Sequence, residues 1–226
     1  SLGRLAAGVA HEINNPLAII NEKAGLIMDL FTIKKEYAGD PKLMSLVNSV
    51  LSSVERCATI TRRLLSFSRH IDISIEPLNL KKVIQDVLGF LGKEAEYRSI
   101  AVSVKVPDDI PQLVGDRGRL QEIFLNLFNN AFAALSDGGR LDIVARREDK
   151  HCLSLIVTDN GCGIPERDID RVFEPFFSTK GRKGGTGLGL SITYGLVQEI
   201  GGSISVESEE GKGTSFRIRL PIKMEK

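Results

Sequence analysis

The sequence lacks a charge bias. Thirty Lys and Arg stand against 29 Asp and Glu, a net +1 at neutral pH, so its totals call for neither nucleic acid nor an anionic membrane as partner. Cysteine is scarce as well. Its three (Cys57, Cys152 and Cys162) are odd in number, far apart and without a CxxC pair, which argues against a disulfide framework or a structural zinc site and for a reducing compartment. No stretch approaches the length of apolar chain that crosses a bilayer, and the first residues carry no signal-peptide pattern. What remains is an ordinary globular composition, 42% hydrophobic and 26% charged over 226 residues, enough for one large domain or two small ones. The opening "SLGRLAAGV" already lies inside a helical pattern, as expected of a piece whose upstream part is missing.

Two textures divide the chain. Leu2, Leu5, Val9, Ile13, Leu17, Ile20, Ala24, Ile27 and Phe31 recur at gaps of three and four, the spacing of one apolar helical stripe. After "AGDP", where Asp40 can cap and Pro41 can open a helix, the spacing resumes through Leu43, Val47, Val50, Val54, Cys57, Ile60 and Leu64. A lone hairpin of two such helices leaves its stripe partly wet, and pairing into a dimeric four-helix bundle would bury it. From Glu76 the period changes. "IAVSVKV" (100–106), "RLDIVAR" (140–146), "CLSLIVT" (152–158), "GSISVES" (202–208) and "TSFRIRL" (214–220) alternate as strands. Helical stretches intervene near 79–93, 117–135 and 186–200. The expected fold is therefore a helical hairpin, residues 1–72, followed by an α/β sandwich with a mixed, mostly antiparallel sheet, residues 73–226.

Within the first helix, "AGVAHEINNPLAII" sets His11 beside Glu12 just ahead of Pro16. His11 stands about 200° around the helix from Val9 and Ile13, so it should point away from the stripe. Pro16 removes the partner of the Glu12 carbonyl and should bend the helix, opening access to the imidazole. A neighbouring carboxylate can take the ring's proton and raise its nucleophilicity. A surface His–Glu pair without a duty is the plain alternative.

The rest of the sequence decides between them. "HEINNPL" (11–17) resembles the phosphoacceptor box of two-component sensor histidine kinases, and the family's ATP-site boxes follow in order. These are "LQEIFLNLFNNAFAAL" (120–135), "DNGCGIP" (159–165), "FEPFFSTK" (173–180), "GGTGLGLSI" (184–192) and "GKGTSF" (211–216). Each is weak alone, whereas six in sequence are specific and cover nearly the whole chain. The implied fold of the second part is the ATP-binding fold shared by gyrase and histidine kinases.

The boxes have physical readings of their own. Asn126 and Asn130 are four apart on one helix face and offer hard amide oxygens suited to Mg²⁺. The resemblance implies that Asn130 holds the metal with Asn126 assisting. Related gyrase-type ATPases place a water-activating glutamate at the position of Asn126, so this chain favours transfer to a protein nucleophile over hydrolysis. Many family members carry a base three residues after the second asparagine, where this chain has Ala133, leaving phosphate charge to Mg²⁺, Lys180, Arg182 and Lys183.

Asp159 ends a strand, where its carboxylate can accept from an exocyclic amine and select adenine, and Gly161 and Gly163 permit the close turn. An Asx turn is the alternative there. Thr214 joins the adenine side by resemblance. Thr179, Lys180, Lys183, Gly185, Thr186, Gly187, Leu188 and Gly189 form a glycine-rich, basic segment that opens a helix and reads as an ATP lid. Phe173, Phe176 and Phe177 are expected to pack, and by resemblance to seat the lid. Asn15, a turn past His11, matches the family position that orients water for dephosphorylating a partner. His70 and His151 read as ordinary surface histidines.

The expected activity is ATP- and Mg²⁺-dependent autophosphorylation on His11, aided by Glu12, then transfer to an aspartate of a response-regulator receiver domain. A homodimer is expected, with a cytoplasmic location for this piece. Two rivals are a plain gyrase-like ATPase and a scaffold module with a degenerate nucleotide site.

Overall fold

The computed structural model describes residues 2–33, 41–68, 74–178 and 187–224, with side chains of the first two helices described at 13, 15–30, 42–54 and 57. The chain divides into two compact units, Ser1–Ile71 and Asp72–Lys226.

The first unit is a hairpin of α1 (Leu2–Ile33) and α2 (Pro41–Ser68). Pro16 does not end α1, which is helical on both sides of it. Ala24 and Val54 are buried in the pair, while the stripe members Ile13, Ile20 and Ile27 stay 41%, 45% and 42% exposed. One hairpin therefore covers only part of its apolar surface.

The second unit is a two-layer sandwich. Its five-stranded sheet has the order β2 (Ala101–Lys105), β4 (Arg140–Arg147), β5 (Cys152–Asp159), β7 (Gly213–Pro221), β6 (Ser203–Glu209). β2 runs parallel to β4, and the other three pairings are antiparallel. Alternation aims Leu141, Ile143 and Ala145, Leu153, Leu155 and Val157, and Phe216, Ile218 and Leu220 at the helices, all in one buried cluster. Against them lies α4 (Arg117–Ala134), whose Leu120, Ile123, Phe124, Leu127, Phe128, Ala131 and Phe132 are buried in the expected helical rhythm. α3 (Leu80–Tyr97) adds Leu80, Val83, Ile84, Val87 and Leu91. Asn79 caps α3 by accepting from Lys82 N at 3.0 Å, and Asp116 caps α4 by accepting from Arg119 N at 2.9 Å.

Two features fall outside the strand pattern of the sequence. β1 (Ile75–Leu78) and β3 (Leu113–Asp116) form a separate antiparallel ribbon. Four residues each, with Pro77 inside the first, they are too short to display a period. The tail completes the ribbon, with Val114 N donating to Ile222 O at 2.7 Å and Met224 N to Val114 O at 2.8 Å. Gly115 lies under that tail, where a Cβ would come 2.2 Å from Met224 Sδ, so a larger residue would have to displace the methionine side chain.

Arg98 locks the ends of α3 and α4 together. Its guanidinium donates to Phe132 O at 2.9 Å, Leu135 O at 2.6 Å and Asp137 Oδ1 at 3.0 Å. Asp137, then Glu94, holds its pKa above the ordinary value.

At the far end of the sheet, Asp149 accepts from His151 N at 2.6 Å, Cys152 N at 2.8 Å and Arg219 Nη2 at 2.8 Å. The His151 amide, followed by Arg219 and the Cys152 amide, holds its carboxyl below the usual value of 3.8. The folded pKa is depressed, so the stabilisation is present above that value and is lost as pH falls through the lower, folded one. Asp149→Asn should therefore lower thermal stability at pH 7 and leave it unchanged near pH 2, as read by thermal melts across that range.

Candidate nucleotide site

The site is assembled at one end of the sandwich from α4, the end of β5, the β6–β7 hairpin and the start of α6 (Gly189–Glu199), which follows the single-turn α5 (Glu166–Ile169) in the chain. β5 ends at Asp159, in register opposite Thr214 on β7, and both side chains are 5% exposed. Asp159 Oδ1 accepts from Gly161 N at 2.9 Å, the Asx turn that "DNG" allows. The turn and the buried acid coexist, since one carboxylate has capacity for several donors.

The loop 161–163 is wedged between two elements. On one side Cys162 N donates to Ala134 O at 3.1 Å, and a Cβ on Gly161 would lie 2.6 Å from that same carbonyl oxygen. On the other, Gly211 N donates to Cys162 O at 2.7 Å, and a Cβ on Gly163, at φ +70°, would lie 2.1 Å from Glu209 O. Glycine is needed at 161 for closeness and at 163 for both closeness and conformation. Because Ala134 ends α4, the loop ties Asp159 to the helix that carries the asparagines.

Ser208 organises the hairpin side. It accepts from Ile164 N at 2.8 Å, donates to Gly213 O at 2.9 Å and lies 2.9 Å from Thr214 Oγ1. Nothing in the sequence singled it out, because a serine in an alternating strand carries no pattern of its own. Its only signal is its place opposite Thr214 across a tight "EGKG" turn.

Asn126 and Asn130 share the outer flank of α4, as their spacing requires. The Asn126 amide nitrogen is buried and has no hydrogen-bond partner. Gly189, the first residue of α6, comes close to both amides. A Cβ there would lie 3.7 Å from Asn126 Oδ1 and 4.0 Å from Asn130 Nδ2. Leu188 is the N-cap of α6 and supplies no capping side chain. Both amides therefore lie beside the start of a helix whose first N–H groups have no side-chain cap, with the Asn126 oxygen on the side of that helix. With the unpartnered Asn126 nitrogen close by, the arrangement suits an anion rich in acceptors.

The ends of the segment expected to form a lid are described and the residues between them are not. Gly187, at φ +66°, sits where a Cβ would lie 2.4 Å from the Phe176 carbonyl carbon, so the two ends of the segment meet. Thr179, Lys180, Arg182, Lys183, Gly185 and Thr186 lie outside the described residues. Phe173 packs as expected, its ring 5.4 Å from Tyr194 and 6.4 Å from Phe216. Phe177 lies under the Arg171 guanidinium at 4.5 Å. Phe176 departs from the expectation: it is 67% exposed, its backbone turned to φ 66° to meet Gly187.

His11 and Glu12 lie within α1, and their side chains are outside the described residues, as is His70. Asn15 is exposed, and so is His151. No cluster of three or more His, Cys, Asp or Glu that could hold a metal occurs among the described residues. No helix among them is long and apolar enough to cross a membrane.

Residues 1–72 match the His Kinase A (phospho-acceptor) domain family, and residues 115–224 the histidine kinase-, DNA gyrase B- and HSP90-like ATPase family. The chain belongs to the two-component sensor histidine kinases. Sporulation kinase A of Bacillus subtilis (strain 168) is 37% identical to this histidine kinase over 98% of its length, which spans 35% of that relative. The histidine kinase ShkA, solved at full length in complex with AMPPNP, superposes with a TM-score of 0.75 at 26% identity, over 96% of this chain and 45% of ShkA. ThkA, solved with the response regulator TrrA, gives a TM-score of 0.68 at 28% identity, over 97% of this chain and 61% of that one.

Proposed function

We propose that this chain is the catalytic core of a histidine kinase in which residues 73–226 bind ATP and residues 1–72 receive its γ-phosphoryl group on His11. The observation that carries the ATP reading is the joining of Asp159 to the end of the asparagine helix through the wedged glycine loop. One rigid piece then presents an acid at the adenine end and two amides at the phosphate end. Asp159 accepts from the exocyclic amine, with Thr214 beside it. The Asn126 amide nitrogen and the first turn of α6 donate to phosphate oxygens. Lys180 and Lys183, with Thr179, Gly185 and Thr186, close over the triphosphate from the lid.

The residues fit Mg²⁺. Asn130 and Asn126 would supply hard amide oxygens, with Asn126 Oδ1 beside the first residue of the α6 helix, and a small hard cation held there would fill the rest of its shell with water and phosphate oxygens. Bound there, the metal would offset negative charge on the phosphates. Glu12 orients the ring and accepts its proton. The attacking imidazole nitrogen forms the N–P bond as the bond from γ-phosphorus to the bridging oxygen breaks, and ADP leaves.

A receiver aspartate then takes the phosphoryl group, consistent with ThkA having been solved with a response regulator. The half-exposed stripe of Ile13, Ile20 and Ile27 supports a homodimer in which two hairpins form a four-helix bundle. Asn15, exposed and one turn beyond His11 in sequence, would orient water if the same surface also dephosphorylates the regulator.

The reading is tested by incubating the chain with γ-labelled ATP and Mg²⁺ and following the label. Label that is lost in acid and survives base supports a phosphohistidine. Steady ATP consumption with no labelled protein would replace the kinase with a hydrolase.

Asp159→Asn is a sharper test of the adenine end. Asparagine keeps an oxygen to accept from Gly161 N, so the loop should survive. Exchanging the charged acceptor should weaken binding of a fluorescent ATP analogue about 10- to 100-fold. Unchanged affinity would remove Asp159 from the site.

A further inference from the structure

The five-stranded sheet has a second face, turned away from α3 and α4. Alternation puts Lys105 of β2, Val144 and Arg146 of β4, Ser154 and Ile156 of β5, and Arg217 and Arg219 of β7 on it. Register sets Lys105, Val144, Ile156 and Arg217 in one row across the strands, with Arg146, Ser154 and Arg219 in the adjoining row. The row from Lys105 to Arg217 covers three strand spacings, about 14 Å.

The cations on this face are of two kinds. Arg140 pairs with Asp142 at 2.8 Å, and Arg219 pairs with Glu148 at 3.1 Å and Asp149 at 2.8 Å. Arg146, Arg217 and Lys105 are exposed and have no hydrogen bond or ion pair among the described residues. The other arginines described in this unit all have one. Between the three free cations lies a half-buried apolar floor, Val144 and Ile156. Beside that floor, Ser154 is 7% exposed and its buried hydroxyl has no partner. Asp142 and Glu207 lie in the next row and bound the patch on that side.

We propose that this face docks an acidic segment of a partner protein, its carboxylates on Arg146, Arg217 and Lys105 and an apolar side chain on Val144 and Ile156. Guanidinium groups left without internal carboxylates are ready for bidentate pairing with carboxylates from outside. An apolar centre inside a charged rim is the anatomy of a protein interface, and a free inorganic anion would have no use for the centre. The face is separate from the nucleotide site, because α4 with Asn126 and Asn130 packs on the other side of the sheet.

The test uses the whole chain and a fluorescein-labelled peptide of Glu-Glu-Leu repeats, followed by anisotropy at low and high salt. Saturable, salt-sensitive binding is expected. Joint replacement by Arg146→Glu and Arg217→Glu should weaken it about tenfold. The Gln pair at the same positions should weaken it less, and Lys81→Glu with Lys82→Glu on α3 should leave it unchanged. All variants should bind an ATP analogue as the parent does, which certifies the fold. Absence of peptide binding, equal loss from the α3 pair, or equal displacement by inorganic polyphosphate or phosphatidylserine vesicles would overturn the proposal.

Discussion

His11→Gln is expected to abolish acid-labile labelling from γ-labelled ATP while leaving binding of an ATP analogue at its original affinity. Glutamine preserves size and polarity on a helix that tolerates it well, so the hairpin should persist. Its amide nitrogen cannot serve as the nucleophile, because its lone pair is delocalised into the carbonyl. The expected loss is therefore complete rather than graded. Mixing the variant with a second inactive variant, Asn130→Ala, adds a further reading. Labelling recovered in the mixture would mean that one protomer's ATP site serves its partner's histidine within a dimer. Residual acid-labile label on His11→Gln alone would place the phosphoacceptor elsewhere.

Gly163→Val is expected to have the second largest effect. The backbone there is left-handed, at φ +70°, and the added Cβ would lie 2.1 Å from Glu209 O, a backbone atom that cannot swing aside. A β-branched residue adds its own penalty to a conformation L side chains avoid. Strain and displacement together should cost about 3–5 kcal/mol, in the range where buried backbone conflicts become diagnostic. Thermal melting of the ATP-binding unit reads that cost, and titration with the ATP analogue should show a parallel loss, since the loop can relax only by moving Asp159. Gly138 makes the control. It also has positive φ, +76°, but nothing lies within 4 Å of a Cβ there. Gly138→Ala should cost about 1 kcal/mol and leave nucleotide binding alone.

These two variants also mark what could be read from residues alone. α4 was visible because seven apolar side chains recur at helical spacing around two asparagines, and the same spacing that buries the first set aligns the second. Five strands were visible because apolar residues alternate along them, most clearly where one face is solvated; β5, at the centre of the sheet, is buried or half-buried along its whole length. The β1–β3 ribbon was not, since four-residue strands leave no period to detect. Asp159 and Gly163 announced themselves through motif, yet the reason for the glycine lies in Glu209, 46 residues away in sequence. The carbonyl of Ala134 had no signal at all, and Ser208 had only its place opposite Thr214 across the tight turn. Contacts of that kind are set by how elements approach one another, and neither composition nor period encodes the approach. The exposure of Phe176 belongs to the same class: an aromatic reads as core until the turn that Gly187 demands is known.

The meeting of Gly187 with the backbone of Phe176 and Phe177 makes the intervening segment a replaceable cassette. Its described ends already meet, backbone against backbone, so chain inserted between them would close at a junction that exists. Doubling the number of residues spanning such a junction adds only about 0.6 kcal/mol of closure entropy. On the proposed reading, in which the segment closes over nucleotide, exchanging it at that junction for one of different charge or length should alter how tightly nucleotide is retained without rebuilding the sheet or the helix of Asn126 and Asn130.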